Sequence, residues 1–151
     1  MPPSNLAQRV TLDELRAFFE RDFPQSTVTI EDAGAGTARV RQEVGAAQLR
    51  PGGTVSGPVM MATADAASYA AILSAIGIVP LAVTTSLTIN FLRRPRADRA
   101  IVAEASILKL GRRLAVTEMR ITSEGDPSVV AHATATYSIP PDDLDDDQKK
   151  L

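Results

Sequence analysis

Residues 56–77 read SGPVMMATADAASYAAILSAIG, and the fold follows from this stretch. Ser56 can cap a helix and Pro58 suits its first position, which predicts a helix over residues 58–76. Gly77 suits the position just past the last turn. Because apolar residues occur on nearly every side, we expect this helix to be buried in the core rather than exposed on a surface.

A single charged residue, Asp65, interrupts the apolar helix. A carboxylate in such surroundings is costly unless it is paired or reaches solvent through a cleft. The residues three and four positions away, none of which is a cation, are Met61, Ala62, Ser68 and Tyr69. We therefore predict that Asp65 faces a cleft or a subunit interface, where functional carboxylates are commonly found. The alternative is a structural carboxylate that accepts hydrogen bonds from a neighbouring loop.

The region after Pro80 changes from a helical period to a period of two, which is typical of strands. Alternating segments separated by turns lie at residues 82–93, 100–110, 113–122 and 129–139. In the first segment Leu87, Ile89 and Phe91 share one face. The opposite face carries Thr84, Ser86, Thr88 and Asn90. We expect the four segments to pair in chain order as an antiparallel meander.

The region before the central helix predicts smaller elements. Residues 11–22 have helical spacing and a Thr-x-x-Glu capping box, which indicates a short amphipathic helix. Segments 27–31 and 37–43 predict a hairpin, and residues 48–55 predict a loop, with or without a strand leading into it. The element order fits one α+β domain over residues 1–140, with the strands curled around the central helix. The aspartate-rich residues 141–151 are expected to form a disordered acidic tail.

Composition excludes several classes of function. The chain has no cysteine, which rules out a thiolate nucleophile and cysteine-based metal sites. The single histidine, His132, alternates with threonines on a polar strand face and is expected to be structural or exposed, so we predict no metal site. A net charge of −2 and few aromatic residues argue against nucleic-acid binding. Without a signal peptide or a charge-free span, we expect a cytoplasmic protein with no membrane contact.

Three separated segments combine into a pattern that one family shares. They are RPGGTVSGP at residues 50–58 followed by Ala64-Asp65, the strand at residues 84–91, and GRRLAV at residues 111–116. Together they resemble the phenylacetic-acid-degradation (PaaI-like) branch of the hotdog-fold acyl-CoA thioesterases. The resemblance implies a hotdog fold, in which an antiparallel β-sheet wraps around one long central helix. It also implies a hydrolase that converts an acyl-CoA or related thioester to the free acid and thiol, without a cofactor.

The resemblance also implies roles for individual residues. Asp65 falls on the catalytic acid, which acts as general base or nucleophile. Gly57 falls on the residue whose N–H polarises the thioester carbonyl, and Thr84 on a residue that positions the attacking water. The expected substrate-binding residues are Arg50, Ser56, Pro58, Met61, Arg93 and Arg94, of which the last two either bind CoA phosphates or are solvated loop charges. Three of these positions depart from the family pattern: Arg50 replaces Asn, Ser56 replaces His, and Pro58 replaces Gly.

The resemblance further implies that each site is shared between two subunits, one supplying the acid and the other the carbonyl-binding glycine. The expected partners are therefore an acyl-CoA and further copies of the chain, as a dimer or as a homotetramer built from two dimers. The three departures leave open a non-catalytic acyl-CoA-binding homo-oligomer. A hotdog hydratase or dehydratase is a further alternative, but that chemistry usually uses a His–acid pair, and the central segment has no histidine.

Overall fold

The computed structural model describes residues 2–141. Within these residues lie two α-helices, α1 (Leu12–Asp22) and α2 (Gly57–Ile76), and a 3-10 turn at Ala46–Gln48. The strands are β1 (Thr29–Gly34), β2 (Thr37–Gln42), β3 (Leu49–Arg50), β4 (Thr54–Val55), β5 (Val83–Phe91), β6 (Ile101–Leu110), β7 (Leu114–Ser123) and β8 (Val129–Ser138). All but the first residue of the predicted tail lies outside the described part of the chain.

Six strands form one antiparallel sheet in the order β1-β2-β6-β7-β8-β5. The predicted four-stranded meander is therefore wrong in one respect: β6, β7 and β8 pair in chain order, but β5 pairs with β8 at the sheet edge. The reason lies in the connection over residues 92–100. It runs across the end of β7, where the Arg96 N–H donates to Ser123 Oγ at 2.9 Å, instead of turning back tightly. One long strand, β5, thus becomes a free edge.

The central helix α2 begins and ends almost where the sequence predicts. Ser56 is the N-cap and accepts a hydrogen bond from the Val59 N–H, while the Gly77 N–H closes the last turn on the Leu73 carbonyl. The helix packs against β2, β6 and β7 through alanines that are fully buried, among them Ala64, Ala67, Ala70 and Ala71. Such small side chains allow the backbone of the sheet to approach closely. The sheet wrapped around one long helix is the hotdog fold that the resemblance predicts.

By length and composition α2 could cross a membrane, but most of its apolar stretch is buried inside the protein. The apolar residues lie on nearly all sides of α2 because the sheet surrounds this helix and buries most of its surface. The burial of α2 therefore agrees with the prediction of a core helix.

The smaller elements also follow their sequence signals. Thr11 and Glu14 form both hydrogen bonds of the capping box at the start of α1. The β1–β2 hairpin forms as predicted, at Thr29–Gly34 and Thr37–Gln42. The predicted loop at residues 48–55 instead contains the short β3–β4 hairpin. Its turn uses Gly52 and Gly53 in left-handed conformations that other residues rarely adopt.

A buried polar pair joins α2 to the sheet and provides a test of the packing. The Ser68 and Thr117 hydroxyls lie 2.7 Å apart and neither residue is exposed to solvent. Thr117→Val leaves the Ser68 hydroxyl without this partner, so we expect a loss of about 1–3 kcal/mol in the free energy of unfolding. Chemical denaturation measures it. Thr122→Val, on the same strand but partly exposed, is the control and should change stability by less than about 0.5 kcal/mol. A Thr117→Val protein as stable as wild type would contradict the assigned contact.

Candidate active site

The carboxylate of Asp65 lies at the centre of the candidate site. Its Oδ1 atom accepts two hydrogen bonds, from Thr84 Oγ1 at 2.7 Å and from Tyr137 Oη at 2.7 Å. No cation of residues 2–141 forms a salt bridge with it. The partly buried acid is therefore held by two neutral hydroxyls from the sheet, and not by a neighbouring loop or an ion pair.

Thr84 reaches Asp65 because of an irregularity in β5. Strict alternation puts Thr84 on the same face as Ser86 and Thr88, away from the helix. The register between β5 and β8 shifts between Thr84 and Ser86, however, which is a β-bulge. A bulge adds one residue to one strand and reverses the direction of the side chains on one side of it. The predicted face of Thr84 is thus wrong, because the bulge turns its side chain towards Asp65 on α2.

Tyr137 belongs to the candidate site through its hydrogen bond to Asp65, and the sequence did not predict it there. It lies on β8 directly opposite Thr84, with a relative exposure of 2%. Its ring stacks on Tyr69, with centroids 6.0 Å apart, and the Tyr69 hydroxyl donates to the Pro80 carbonyl. Burial raises the pKa of the Tyr137 phenol above its ordinary range, and the negative charge of Asp65 raises it further. Tyr137 is therefore a neutral hydrogen-bond donor at all ordinary pH values.

Asp65, Thr84 and Tyr137 lie at the wall of a cavity of about 1330 Å³. Part of its apolar lining comes from the end of α2, the segment that follows and the start of β5, including Ile76, Val79 and Val83. Basic residues, Arg9, Arg21 and Arg112, contribute to the same lining. The carboxylate thus borders a space that can take an apolar group.

Gly57 is in the first turn of α2, whose backbone N–H groups have no acceptor within the helix. A side chain at this position would meet Phe91: an added Cβ lies 3.3 Å from Phe91 Cζ. Eight residues separate Gly57 from Asp65, which corresponds to about 12 Å along a helix. Within one chain, the predicted carbonyl-binding N–H and the predicted acid are therefore too far apart to act on one carbonyl group.

Most of the other predicted substrate-binding residues lie near the Gly57 end of α2, whereas Met61 is four residues from both Gly57 and Asp65. The Ser56 hydroxyl accepts the helix-capping hydrogen bond. The remaining residues are solvent-exposed: Arg50 on β3, Pro58 and Met61 in the first turns of α2, and Arg93 and Arg94 just after β5. Phe91 packs on Gly57, which brings the end of β5 next to the start of α2.

His132 lies away from this site, on the outer face of the sheet. Its Nε2 atom is 3.4 Å from Glu118 Oε1 on the neighbouring strand β7, and the side chain is partly exposed. This position agrees with the expectation of a structural or exposed histidine. Over residues 2–141, no group of three or more His, Asp or Glu side chains has a geometry that could hold a metal ion.

Residues 52–130, just over half of the chain, match the family model of the thioesterase superfamily. The chain belongs to the thioesterase superfamily. The matched residues include α2 with Asp65 and strands β5 to β7. No curated protein sequence matches the chain significantly.

Solved structures of the superfamily have the same fold. A thioesterase candidate from a Silicibacter species is 42% identical, over 91% of this chain and 97% of that chain, with a TM-score of 0.84. A variant of the phenylacetic acid degradation protein PaaI from Thermus thermophilus is 29% identical, over 82% and 99%, with a TM-score of 0.68. A hypothetical thioesterase from Streptococcus pneumoniae, crystallised with coenzyme A, is 20% identical over 82% and 97%, with a TM-score of 0.72, and supports the fold alone.

Proposed function

We propose that this protein hydrolyses an acyl-CoA thioester to the free acid and CoA, with the Asp65 carboxylate as general base or nucleophile. The observation that carries the proposal is the environment of the Asp65 carboxylate. Within residues 2–141 it forms no salt bridge, and Thr84 and Tyr137 hold it through one oxygen at the wall of a partly apolar cavity. Membership of the thioesterase superfamily supports the reaction class.

The chemistry needs only residues of the chain and water. As general base, Asp65 takes a proton from a water molecule while the water oxygen bonds to the thioester carbonyl carbon. The negative charge then develops on the carbonyl oxygen, where the Gly57 N–H at a helix N-terminus stabilises it. When the carbonyl re-forms, the carbon–sulfur bond breaks and the thiolate leaves with the proton that Asp65 holds. As nucleophile, the carboxylate attacks the same carbon and the carbon–sulfur bond breaks, so that the thiolate leaves and a mixed anhydride of Asp65 remains. Water then hydrolyses the anhydride, which regenerates the Asp65 carboxylate and releases the acid, and the remaining proton of that water neutralises the thiolate.

We further propose that two copies of the chain build each site. Because Gly57 and Asp65 of one chain are about 12 Å apart along α2, a single chain cannot present both to one carbonyl. The free edge of β5 and the start of α2 expose apolar side chains: Met61 is 37%, Phe91 50% and Leu92 58% exposed. A long exposed edge strand with apolar neighbours is normally covered. A second copy paired along β5 covers it and brings a second Gly57 towards Asp65, as a dimer or within a homotetramer.

The position of the substrate follows from the same arrangement. An apolar acyl group fits the cavity beside Asp65, next to Ile76, Val79 and Val83. Arg93 and Arg94, exposed after β5, are available for the CoA phosphates, and planar guanidinium groups suit such contacts. We take CoA as the thiol portion of the proposed substrate, since the Streptococcus pneumoniae protein of the same fold was crystallised with coenzyme A.

Three measurements on one panel of acyl-CoAs distinguish the proposed function from its alternatives. We expect free thiol to be released from at least one saturated acyl-CoA. Binding of a non-hydrolysable CoA analogue without thiol release from any substrate would identify the non-catalytic binding protein. Loss of the double-bond absorbance of an enoyl-CoA without thiol release would identify a hydratase.

Gly57→Ala tests the carbonyl-binding position. Alanine is well tolerated at a helix start, and the contact at 3.3 Å is with a ring that is half exposed, so we expect stability within about 1 kcal/mol of wild type. The added methyl group stands beside the N–H that the carbonyl must reach, so we expect thiol release to fall roughly 10- to 100-fold. Gly45→Ala, an exposed and extended glycine, is the matched control and should keep the wild-type rate. Equal rates for both variants would contradict the role of Gly57.

A further inference from the structure

Tyr137 contacts Asp65 in two ways. Its Oη atom lies 2.7 Å from Asp65 Oδ1 and 3.1 Å from the Asp65 backbone carbonyl oxygen. A phenol has one proton to donate, and the contact with the charged, closer carboxylate oxygen is the stronger. The hydroxyl of Tyr137 is therefore committed to the Asp65 side chain.

Thr84 and Tyr137 meet the same oxygen because they are opposite each other on paired strands. Thr84 of β5 is the register partner of Tyr137 of β8. Side chains at such positions lie about 5 Å apart at their Cβ atoms, close enough for both hydroxyls to reach one acceptor. A carboxylate oxygen has two lone pairs, so these two donors occupy Oδ1 fully. No donor in residues 2–141 is hydrogen-bonded to Oδ2.

We propose that Tyr137 is a positioning residue that fixes the Asp65 carboxylate and reserves its Oδ2 atom for the reacting water or thioester. This inference rests on the proposed hydrolysis at Asp65. With Oδ1 held by Thr84 and Tyr137, only Oδ2 remains to take the proton or to attack the carbonyl carbon. The Tyr137 hydroxyl forms no hydrogen bond to substrate or water in this assignment; it acts through Asp65.

The surroundings of Tyr137 suit a fixed donor better than those of Thr84 do. Tyr137 is on an inner strand, paired with β5 on one side and with Ala115 of β7 on the other. Its ring is stacked on Tyr69, which is itself tied to the Pro80 carbonyl. Thr84 lies on the edge strand β5 and is exposed to solvent. Tyr137 therefore sets the orientation of the carboxylate, and Thr84 adds the second donor.

Removal of this donor has two measurable consequences. A carboxylate that loses a hydrogen bond to its charged form is protonated at higher pH, so the acid side of the pH–rate profile should move upward. A less well oriented carboxylate lowers the rate of the chemical step without weakening substrate binding. The other ionisable groups that line the same cavity are Arg9, Arg21, Asp22, Tyr69 and Arg112, and of these only Tyr69 is substituted, in the control variant.

The test compares Tyr137→Phe with Tyr69→Phe. Both substitutions remove one hydroxyl from the same aromatic stack and keep the ring, but only the first removes a donor to Asp65. We expect Tyr137→Phe to lower kcat about 10- to 100-fold, to leave KM within about twofold, and to shift the acid side of the profile to higher pH. We expect the acid side of the Tyr69→Phe profile to coincide with wild type. Thermal unfolding followed by circular dichroism shows whether each variant is folded.

The possible results separate this inference from the proposed function. If wild type releases thiol, Asp65→Asn does not, and Tyr137→Phe retains the wild-type kcat and pH profile, the role of Tyr137 is wrong and the hydrolysis stands. An equal pH shift in both tyrosine variants would also contradict it. If wild type releases no thiol, the proposed function fails. Crystal structures of wild type and Tyr137→Phe then test whether Tyr137 positions Asp65. The same orientation of the Asp65 carboxylate in both structures would contradict that role.

Discussion

Asp65→Asn is expected to lower thiol release from acyl-CoA substrates by about 10²- to 10⁴-fold. Asparagine has nearly the same shape, and its amide oxygen can still accept the hydrogen bonds from Thr84 and Tyr137. An amide, however, can neither take a proton from water nor form an anhydride with an acyl group. The substitution therefore removes the general base or nucleophile and keeps the hydrogen bonds from Thr84 and Tyr137. Steady-state rates with a thiol-detecting reagent measure the effect.

Asp13→Asn is the matched control for this result. Asp13 is exposed in the first turn of α1, outside the cavity, so the same exchange there should leave the rate unchanged. The Asp65→Asn protein should be folded and at least as stable as wild type, because it no longer keeps a charge in a partly apolar site. It should also bind a CoA analogue as wild type does. An Asp65→Asn protein with full turnover would show that another residue performs the reaction.

Thr88→Lys is expected to separate the subunits and to lower thiol release by about 10²- to 10³-fold, the usual effect of losing one oxyanion donor. Thr88 is exposed and lies near the middle of the free edge strand β5. If two copies pair antiparallel about that region, the two introduced lysines lie close together and repel each other. Light scattering should give a mass near that of one chain, 16.0 kDa, where wild type gives a multiple of it.

The control for this variant uses the other edge of the same sheet. Thr29 is exposed at the start of β1, so Thr29→Lys makes the same chemical change on a strand that has no part in the proposed interface. It should keep the wild-type mass and rate. A wild-type protein that is monomeric and fully active would contradict the two-subunit site, as would a Thr88→Lys monomer with undiminished turnover.

The parts of the fold that local signals determine could be predicted from the sequence. The ends of α2 depend on Ser56 and Gly77, which act on the adjacent backbone, and both ends were found within one residue of the prediction. The position of Asp65 on a buried helix follows from the same reasoning. An unpaired acid among apolar residues needs partners or a cleft, and the structure provides both.

The parts that depend on distant contacts could not be predicted. The pairing of β5 with β8 is decided by the path of residues 92–100 across the sheet, which no local pattern specifies. The bulge after Thr84 reverses its face, and strict alternation gives no sign of it. Tyr137 did carry a signal, since it is a tyrosine among alanines on an inward strand face. A buried hydroxyl needs an acceptor, and that argument could have selected it.

The most direct test of hydrolysis at Asp65 is thiol release from a panel of acyl-CoAs by wild type and Asp65→Asn side by side, with binding of a CoA analogue measured for both. We expect turnover of at least one acyl-CoA by wild type, its loss in Asp65→Asn, and equal binding of the analogue by the two proteins. Binding by both without turnover by wild type on any substrate would contradict the proposed hydrolysis.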